Sequence, residues 1–234
     1  MAAAFTVVLL VLIGMALSTL LITASVVVYL ASESEVRLPI DWKETRIEDV
    51  RHGPSRDWLA TYQRVLESLG FQLRVALWGP SVVRPGRALC AWFVRPGCAT
   101  LGLLLVSPRG RSVTFTTGLG RDRLETTCGA HPLTLRCREL VDRRIRPDLS
   151  DPAALLHAHE DRVGAASAEA SPTVEELVAE MRDSYQRVLD VDSARGLRKQ
   201  RGQRSVQTWR GRVATAIRRS RSRLQRLAME VERN

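Results

Sequence analysis

Residues 1–32 contain no Asp, Glu, Lys, Arg or His, and the first charge in the chain is Glu33. This run constrains the chain more than any other feature. A helix at the surface of a soluble protein keeps a polar face toward water, and this segment has only scattered Thr and Ser. At 1.5 Å rise per residue, roughly 20 apolar residues cross the hydrocarbon core, so Phe5 to Leu30 is long enough to span with some tilt. A secretory signal peptide would carry a basic n-region and an apolar core of about 7–15 residues. Here no Lys or Arg precedes the run, and apolar Val26-Val27-Val28-Tyr29-Leu30 follows the cleavage-like Thr23-Ala24-Ser25. The sequence predicts a retained transmembrane anchor over residues 1–32.

Its orientation follows from the flanks. The N-terminal side has no basic residue, whereas Arg37, Lys43, Arg46 and Arg51 lie beyond the other end. Cytoplasmic flanks carry the Lys/Arg excess, and acidic residues such as Glu33 and Glu35 contribute little. The expected placement is the cell membrane, single-pass, with the N-terminus outside and the C-terminal domain cytoplasmic. Gly14-x-x-x-Ser18 is read as ordinary small-residue content rather than a helix-pairing face, and homo-oligomeric state does not follow from it.

The formal charge of +10 is concentrated at one end. Residues 195–234 hold thirteen basic side chains against Glu230 and Glu232, a net of +11, which leaves −1 for residues 1–194. Such a block is attracted to phosphate, of nucleic acid or of anionic lipid. The cysteines, Cys90, Cys98, Cys128 and Cys137, contain no C-x-x-C pair, so neither a zinc ribbon nor a thioredoxin-like motif is supported. Cytoplasmic placement argues for free thiols, packed as small apolar residues.

The organisation is read as an anchor (1–32), a juxtamembrane connector (33–53), an α+β domain (54–164), an Ala/Ser-rich linker (165–172) and a helical region with an Arg-rich tail (173–234). Ser55 reads as an N-cap. Trp58, Leu59, Tyr62, Val65, Leu66 and Leu69 recur at helical spacing, and Gly70 suits the C′ position. From Phe71 the period becomes two, with Phe71, Leu73, Val75 and Leu77 on one face and Gly79-Pro80 ending the strand. Further strands are expected over 87–95, 100–107, 112–117 and 124–128. Leu103-Leu104-Leu105-Val106 is apolar on both faces and suits a central strand. The strand connections are short, so an antiparallel meander is expected. Helices are predicted over about 135–144 and from Ser150 with Pro152 at N1, the latter burying Leu155, Leu156 and Val163. Thr173 and Glu176 form a capping box for a helix bearing Val174, Leu177, Val178, Met181, Tyr185, Val188 and Leu189. Residues 193–203 should bend, and a last helix should run over about 204–231. On it Val206, Trp209, Val213, Ile217, Ser220, Leu224, Leu227 and Val231 fall within an arc of about 80°. Gly211 is expected to weaken that helix by about 1 kcal/mol.

No catalytic, cofactor-binding or metal site is predicted, and no cofactor. In His157-x-His159-Glu160, residues two apart point about 200° apart on a helix, so the two imidazoles cannot share one ion. Gly118-Leu119-Gly120 begins like a dinucleotide fingerprint, but Arg123 stands at the third glycine position and the neighbours are strand-like, so a hairpin turn is the reading. Cys128 and His131 are too loosely related in sequence to define a nucleophile and its base.

The fold class expected is thus α+β: one N-terminal transmembrane helix, a small antiparallel-sheet domain with flanking helices, then two C-terminal helices. The function expected is a non-enzymatic protein-binding or scaffold module on a lipid bilayer, with a protein partner. Its basic tail is expected to contact the inner membrane surface or to pack on the preceding acidic helix. The alternatives are a membrane-tethered nucleic-acid binder acting through Arg198 to Arg226, which is not favoured because Trp209 is the tail's lone aromatic, and an enzyme with an unannounced site in the α+β domain.

Overall fold

A computed structural model describes residues 13–16, 18–20, 23, 35–49, 53–80, 87–107, 110–119, 123–128, 142–146, 149–164, 171–215 and 217. The chain divides into two compact units, residues 35–191 and residues 1–34 with 192–234. The first is α+β. Its elements are β1 (Glu35–Arg37), β2 (Lys43–Thr45), a 3-10 turn (Ile47–Asp49), α1 (Gly53–Ser68), β3 (Gln72–Pro80), β4 (Arg87–Val94), β5 (Thr100–Ser107), β6 (Gly110–Thr117), β7 (Leu124–Cys128), β8 (Asp142–Ile145), α2 (Pro152–Val163) and α3 (Val174–Ala194). Strands β2 to β8 form a seven-stranded sheet in sequence order.

The sheet is mixed, which corrects the expected all-antiparallel meander. Strand β8 runs parallel to β7, pairing Glu125 with Arg143 and Thr127 with Ile145. Thirteen residues, 129–141, separate the two strands in the sequence, enough for the roughly dozen that a parallel pair requires between its strands. Residues 142–144, expected at the end of a helix, are therefore strand, drawn onto the edge by pairing and by Arg143 binding Glu125. The remainder of that expected helix, 135–141, lies outside the described residues.

Two apolar cores cover the two faces. On one, Leu59 and Leu66 of α1 and Leu155 and Leu156 of α2 pack on Leu89, Phe93, Leu104 and Phe115. On the other, Leu177, Met181, Tyr185, Val188 and Leu189 of α3 pack on Leu77, Cys90, Trp92 and Leu105. Both strands buried on two faces, β4 and β5, lie centrally, and Leu104 is fully buried as its apolar neighbours implied.

Local signals set the helix ends. Gly70 has φ +85°, and the amides of Gly70 and Phe71 bond back to the carbonyls of Glu67 and Leu66, closing α1 in a Schellman motif. Helix α1 begins at Gly53, so Ser55 lies inside it rather than capping it. In α2 the cap is Asp151, whose carboxylate accepts from the Ala153 and Ala154 amides, and Pro152 occupies the first turn. Val163 is only half-buried. The capping box of α3 is present: the Thr173 amide donates to Glu176 Oε2 at 2.7 Å, and the Glu176 amide to Thr173 Oγ1 at 3.2 Å.

Two departures occur in β3. A bulge leaves Leu73 opposite Phe93 and Val75 opposite Trp92, so Arg74 is an extra residue. Phe71 thus joins the α1/α2 core while Val75 and Leu77 join the α3 core, not one common face. Gly79-Pro80 also continues the strand instead of ending it. A Cβ at Gly79 would lie 2.3 Å from the Trp42 ring, so this glycine admits the indole.

In the second unit, residues 13–16, 18–20 and 23 are helical and exposed. Among the described residues no helix is long and apolar enough to cross a membrane. Most of the anchor expected over 1–32 lies outside the described residues, as do most of the 165–172 linker and the tail beyond 217. The start of the expected last helix is corrected. Residues Arg198–Arg201 (β9) and Arg204–Gln207 (β10) form an antiparallel hairpin. Arg198 is buried and bonds across it, Nε to Ser205 Oγ at 2.9 Å and Nη2 to the Ser205 carbonyl at 2.6 Å. Helix resumes only over 209–215.

Candidate functional site

The polar groups of the 35–191 unit gather into two clusters, one on each face of the β6–β7 end of the sheet. Alternation puts Thr114, Thr116, Glu125 and Thr127 toward α3, with Arg143 joining them from β8. On α3, Glu180, Ser184 and Arg187 stand at i, i+4 and i+7 and share one side. Arg123, just before β7, bridges the two elements: its Nε lies 2.7 Å from Glu125 Oε1, and its Nη1 donates to Glu180 and, at 2.9 Å, to Ser184 Oγ. Arg143 binds the other Glu125 oxygen, and Arg187 reaches Glu180 at 3.0 Å. Glu125 and Glu180 side chains are each 6% exposed and Arg123 10%, so these ion pairs are held away from bulk water. Arg123, which displaces the third glycine of the nucleotide-like pattern, is thus a structural cation. Gly118 sits at the β6–β7 turn, with φ +76°, and Gly120 lies outside the described residues.

On the opposite face the chain of contacts is hydroxyl and imidazole. Thr100 Oγ1 and Thr117 Oγ1 lie 3.2 Å apart, Thr117 Oγ1 is 2.9 Å from His159 Nε2, and His159 Nδ1 is 3.0 Å from Thr126 Oγ1. Burial, reinforced by the Arg162 charge, lowers the His159 pKa to about 4 despite Glu160 and Glu125 nearby. The ring is neutral at pH 7, and both nitrogens are engaged. His157 points away, exposed, 3.7 Å from Asp161. The helix separates the two imidazoles as the spacing implied, and among the described residues no group of three or more His, Cys, Asp or Glu could hold a metal ion.

One reactive group sits at the rim of this cluster. Arg95-Pro96-Gly97-Cys98 forms a turn with Pro second and Gly97 third at φ +71°, closed by the Cys98 amide on the Arg95 carbonyl at 3.1 Å. The turn brings Arg95 Nη2 to 3.2 Å from Cys98 Sγ, and the Thr100 amide approaches the same sulfur at 3.5 Å. Arg95 is oriented by Glu160 at 2.5 Å and lies over the Phe71 ring. Burial alone would raise the Cys98 thiol, but the Thr100 amide and the Arg95 guanidinium outweigh it and bring its pKa below the ordinary value. Burial instead raises Cys90 and Cys128. All three are free thiols.

No known protein family, curated protein or solved structure matches the chain. The chemistry must be argued from these residues alone. The arrangement offers one thiol inclined to the thiolate, and a buried ionic network whose members bind one another. Cys98, expected from its neighbours to pack as a small apolar residue, is half-buried with its sulfur beside a guanidinium. The Arg-Pro-Gly-Cys turn was the available signal, since Pro-Gly fixes the turn that brings residues one and four together. Cys128 is partly buried against the α1/α2 core, while His131 and Cys137 lie outside the described residues.

Proposed function

We propose that this chain is a single-pass, N-out membrane protein whose cytoplasmic α+β unit is a non-enzymatic protein-binding or scaffold module. The observation that carries the reading is the internal engagement of the ionisable groups. Glu125 and Glu180 are paired with Arg123, Arg143 and Arg187, and both nitrogens of His159 are hydrogen-bonded to threonines. Carboxylates and an imidazole held this way rigidify a fold and are poorly placed to exchange protons with a substrate. The uncharged residues 1–32 and the basic flank from Arg37 to Arg51 support the anchor and its orientation.

The test is a cysteine introduced in the 165–172 linker of a Cys98→Ser chain, probed in intact cells with an impermeant thiol reagent. Protection until the membrane is permeabilised is the expected result, and labelling from outside overturns the orientation. Replacing Arg37, Lys43, Arg46 and Arg51 with Gln should weaken or invert the insertion. A turnover that Cys98→Ser abolishes would overturn the non-enzymatic part. The nucleic-acid alternative draws on the Arg-rich tail, but the buried Arg198 serves the β9–β10 hairpin instead of offering its charge to a phosphate.

A further inference from the structure

We infer that the helical turn after β10 is a lipid-facing wedge, in which Trp209 and Ile217 enter an anionic bilayer surface while the surrounding arginines meet its headgroups. The inference rests on the membrane-tethered reading above and assigns it a second contact.

The helix has one face committed and one open. Thr208 caps it: Thr208 Oγ1 accepts from the Gly211 amide at 3.1 Å and donates to the Gly196 carbonyl at 2.8 Å, while the Thr208 amide donates to Leu197 at 2.9 Å. Gln207 Nε2 donates to the Gly211 carbonyl and to Thr215 Oγ1, at 2.9 and 2.6 Å. Gly211 and Thr215 are buried, and a Cβ at Gly211 would lie 2.0 Å from the Leu197 carbonyl oxygen. The face bearing residues 211 and 215 is therefore seated on the β9–β10 hairpin.

At 100° per residue, Trp209, Val213 and Ile217 lie on the other side. Trp209 is 73% exposed and Ile217 47% exposed. These three are the described members of the stripe expected from the sequence; Val206 leaves it, buried in β10, and Ser220, Leu224, Leu227 and Val231 lie outside the described residues. The acidic helix α3 does not offer a matching surface, because its own stripe of Leu177, Met181, Tyr185, Val188 and Leu189 is buried in the core against the sheet.

Charge selects the occupant. Arg210 beside the stripe is exposed, as are Lys199 and Arg201 on the hairpin, and residues 195–234 carry a net +11. A Trp/Ile stripe bordered by arginines matches an anionic interface, where the ring sits at headgroup level and each cation near the surface adds attraction. A nucleic-acid phosphate backbone would satisfy the arginines and leave the stripe in water.

The experiment uses the full chain mixed with vesicles of phosphatidylcholine alone or with phosphatidylserine, each with brominated acyl chains. The fluorescence difference between the chain and Trp209→Phe isolates one of the five tryptophans. The expected result is quenching of Trp209 with phosphatidylserine, reduced by salt and weak with phosphatidylcholine alone. Arg210→Gln should weaken the anionic association about fivefold, and Ile217→Glu should reduce the quenching without altering the fold. Resistance to alkaline carbonate, read on the same samples, reports the anchor separately. Unquenched Trp209 in anionic vesicles overturns the wedge whether or not the anchor holds. Equal quenching in both vesicle types overturns its charge selectivity. Salt-sensitive binding of duplex DNA with Trp209 unquenched assigns the tail to nucleic acid instead.

Discussion

His159 Nε2 and Thr117 Oγ1 lie 2.9 Å apart at a fully buried imidazole, with buried Thr126 closing on the other ring nitrogen at 3.0 Å. A neutral imidazole donates from one nitrogen and accepts at the other, and the two hydroxyls complement either tautomer. Protonation would make both nitrogens donors inside a buried site next to Arg162.

The consequence is a pH-dependent stability. The folded pKa of about 4 is below the ordinary 6.5, so as pH falls the unfolded chain takes up a proton that the folded chain refuses. The stabilisation is complete above about pH 6.5 and is lost progressively down to about pH 4, by about 3 kcal/mol. Urea unfolding across this range should show a slope that His159→Gln flattens. An unchanged slope in the variant would contradict the account.

Glu180→Ala removes the carboxylate shared by Arg123, Ser184 and Arg187. Stability should fall by about 3–5 kcal/mol, because buried guanidinium charge loses its counterion. Glu180→Gln, which keeps the hydrogen-bonding shape, should also destabilise. Thermal melts read both, and a loss no larger than that of a surface substitution would refute the buried network.

Cys98 should alkylate with iodoacetamide faster than Cys90 or Cys128, since Arg95 and the Thr100 amide favour its thiolate while burial disfavours theirs. Peptide mapping at short reaction times identifies the first thiol modified. Arg95→Gln should shift the pH–rate curve of Cys98 upward and slow the reaction at neutral pH.

Leu104→Ala should cost about 2–5 kcal/mol, because Leu104 is fully buried in the central strand β5 between Ala91 and Val113. An unchanged melting temperature would refute that placement.

Gly211→Ala should loosen the helix after β10, although alanine is the better helix former by about 1 kcal/mol. The added Cβ would meet the Leu197 carbonyl at 2.0 Å. Amide exchange should accelerate in the peptide containing Thr208, whose N–H binds that same carbonyl. Slower exchange would mean that propensity outweighs the contact.

The elements that the sequence determined by itself are those set by neighbours in the chain. The Thr173/Glu176 box, Gly70 at the end of α1, Pro152 in the first turn of α2 and the doubly apolar run at 103–106 each act within a few residues, where period and side-chain chemistry suffice. Elsewhere long-range pairing overrides local preference, and no window of neighbouring residues reveals it. The parallel β8 depends on Glu125 attracting Arg143, and β9–β10 depends on Arg198 bonding Ser205 across the hairpin. The face each half of β3 presents turns on one extra residue in its pairing with β4. Gly79 and Gly211 look like breakers in the sequence, and become points of close approach only because Trp42 and Leu197 come to lie against them. The candidate chemistry divides the same way. The Arg95–Cys98 turn is local and was readable, but Glu160, which orients Arg95, and Glu180, which neutralises Arg123, arrive from distant helices that the sheet places there.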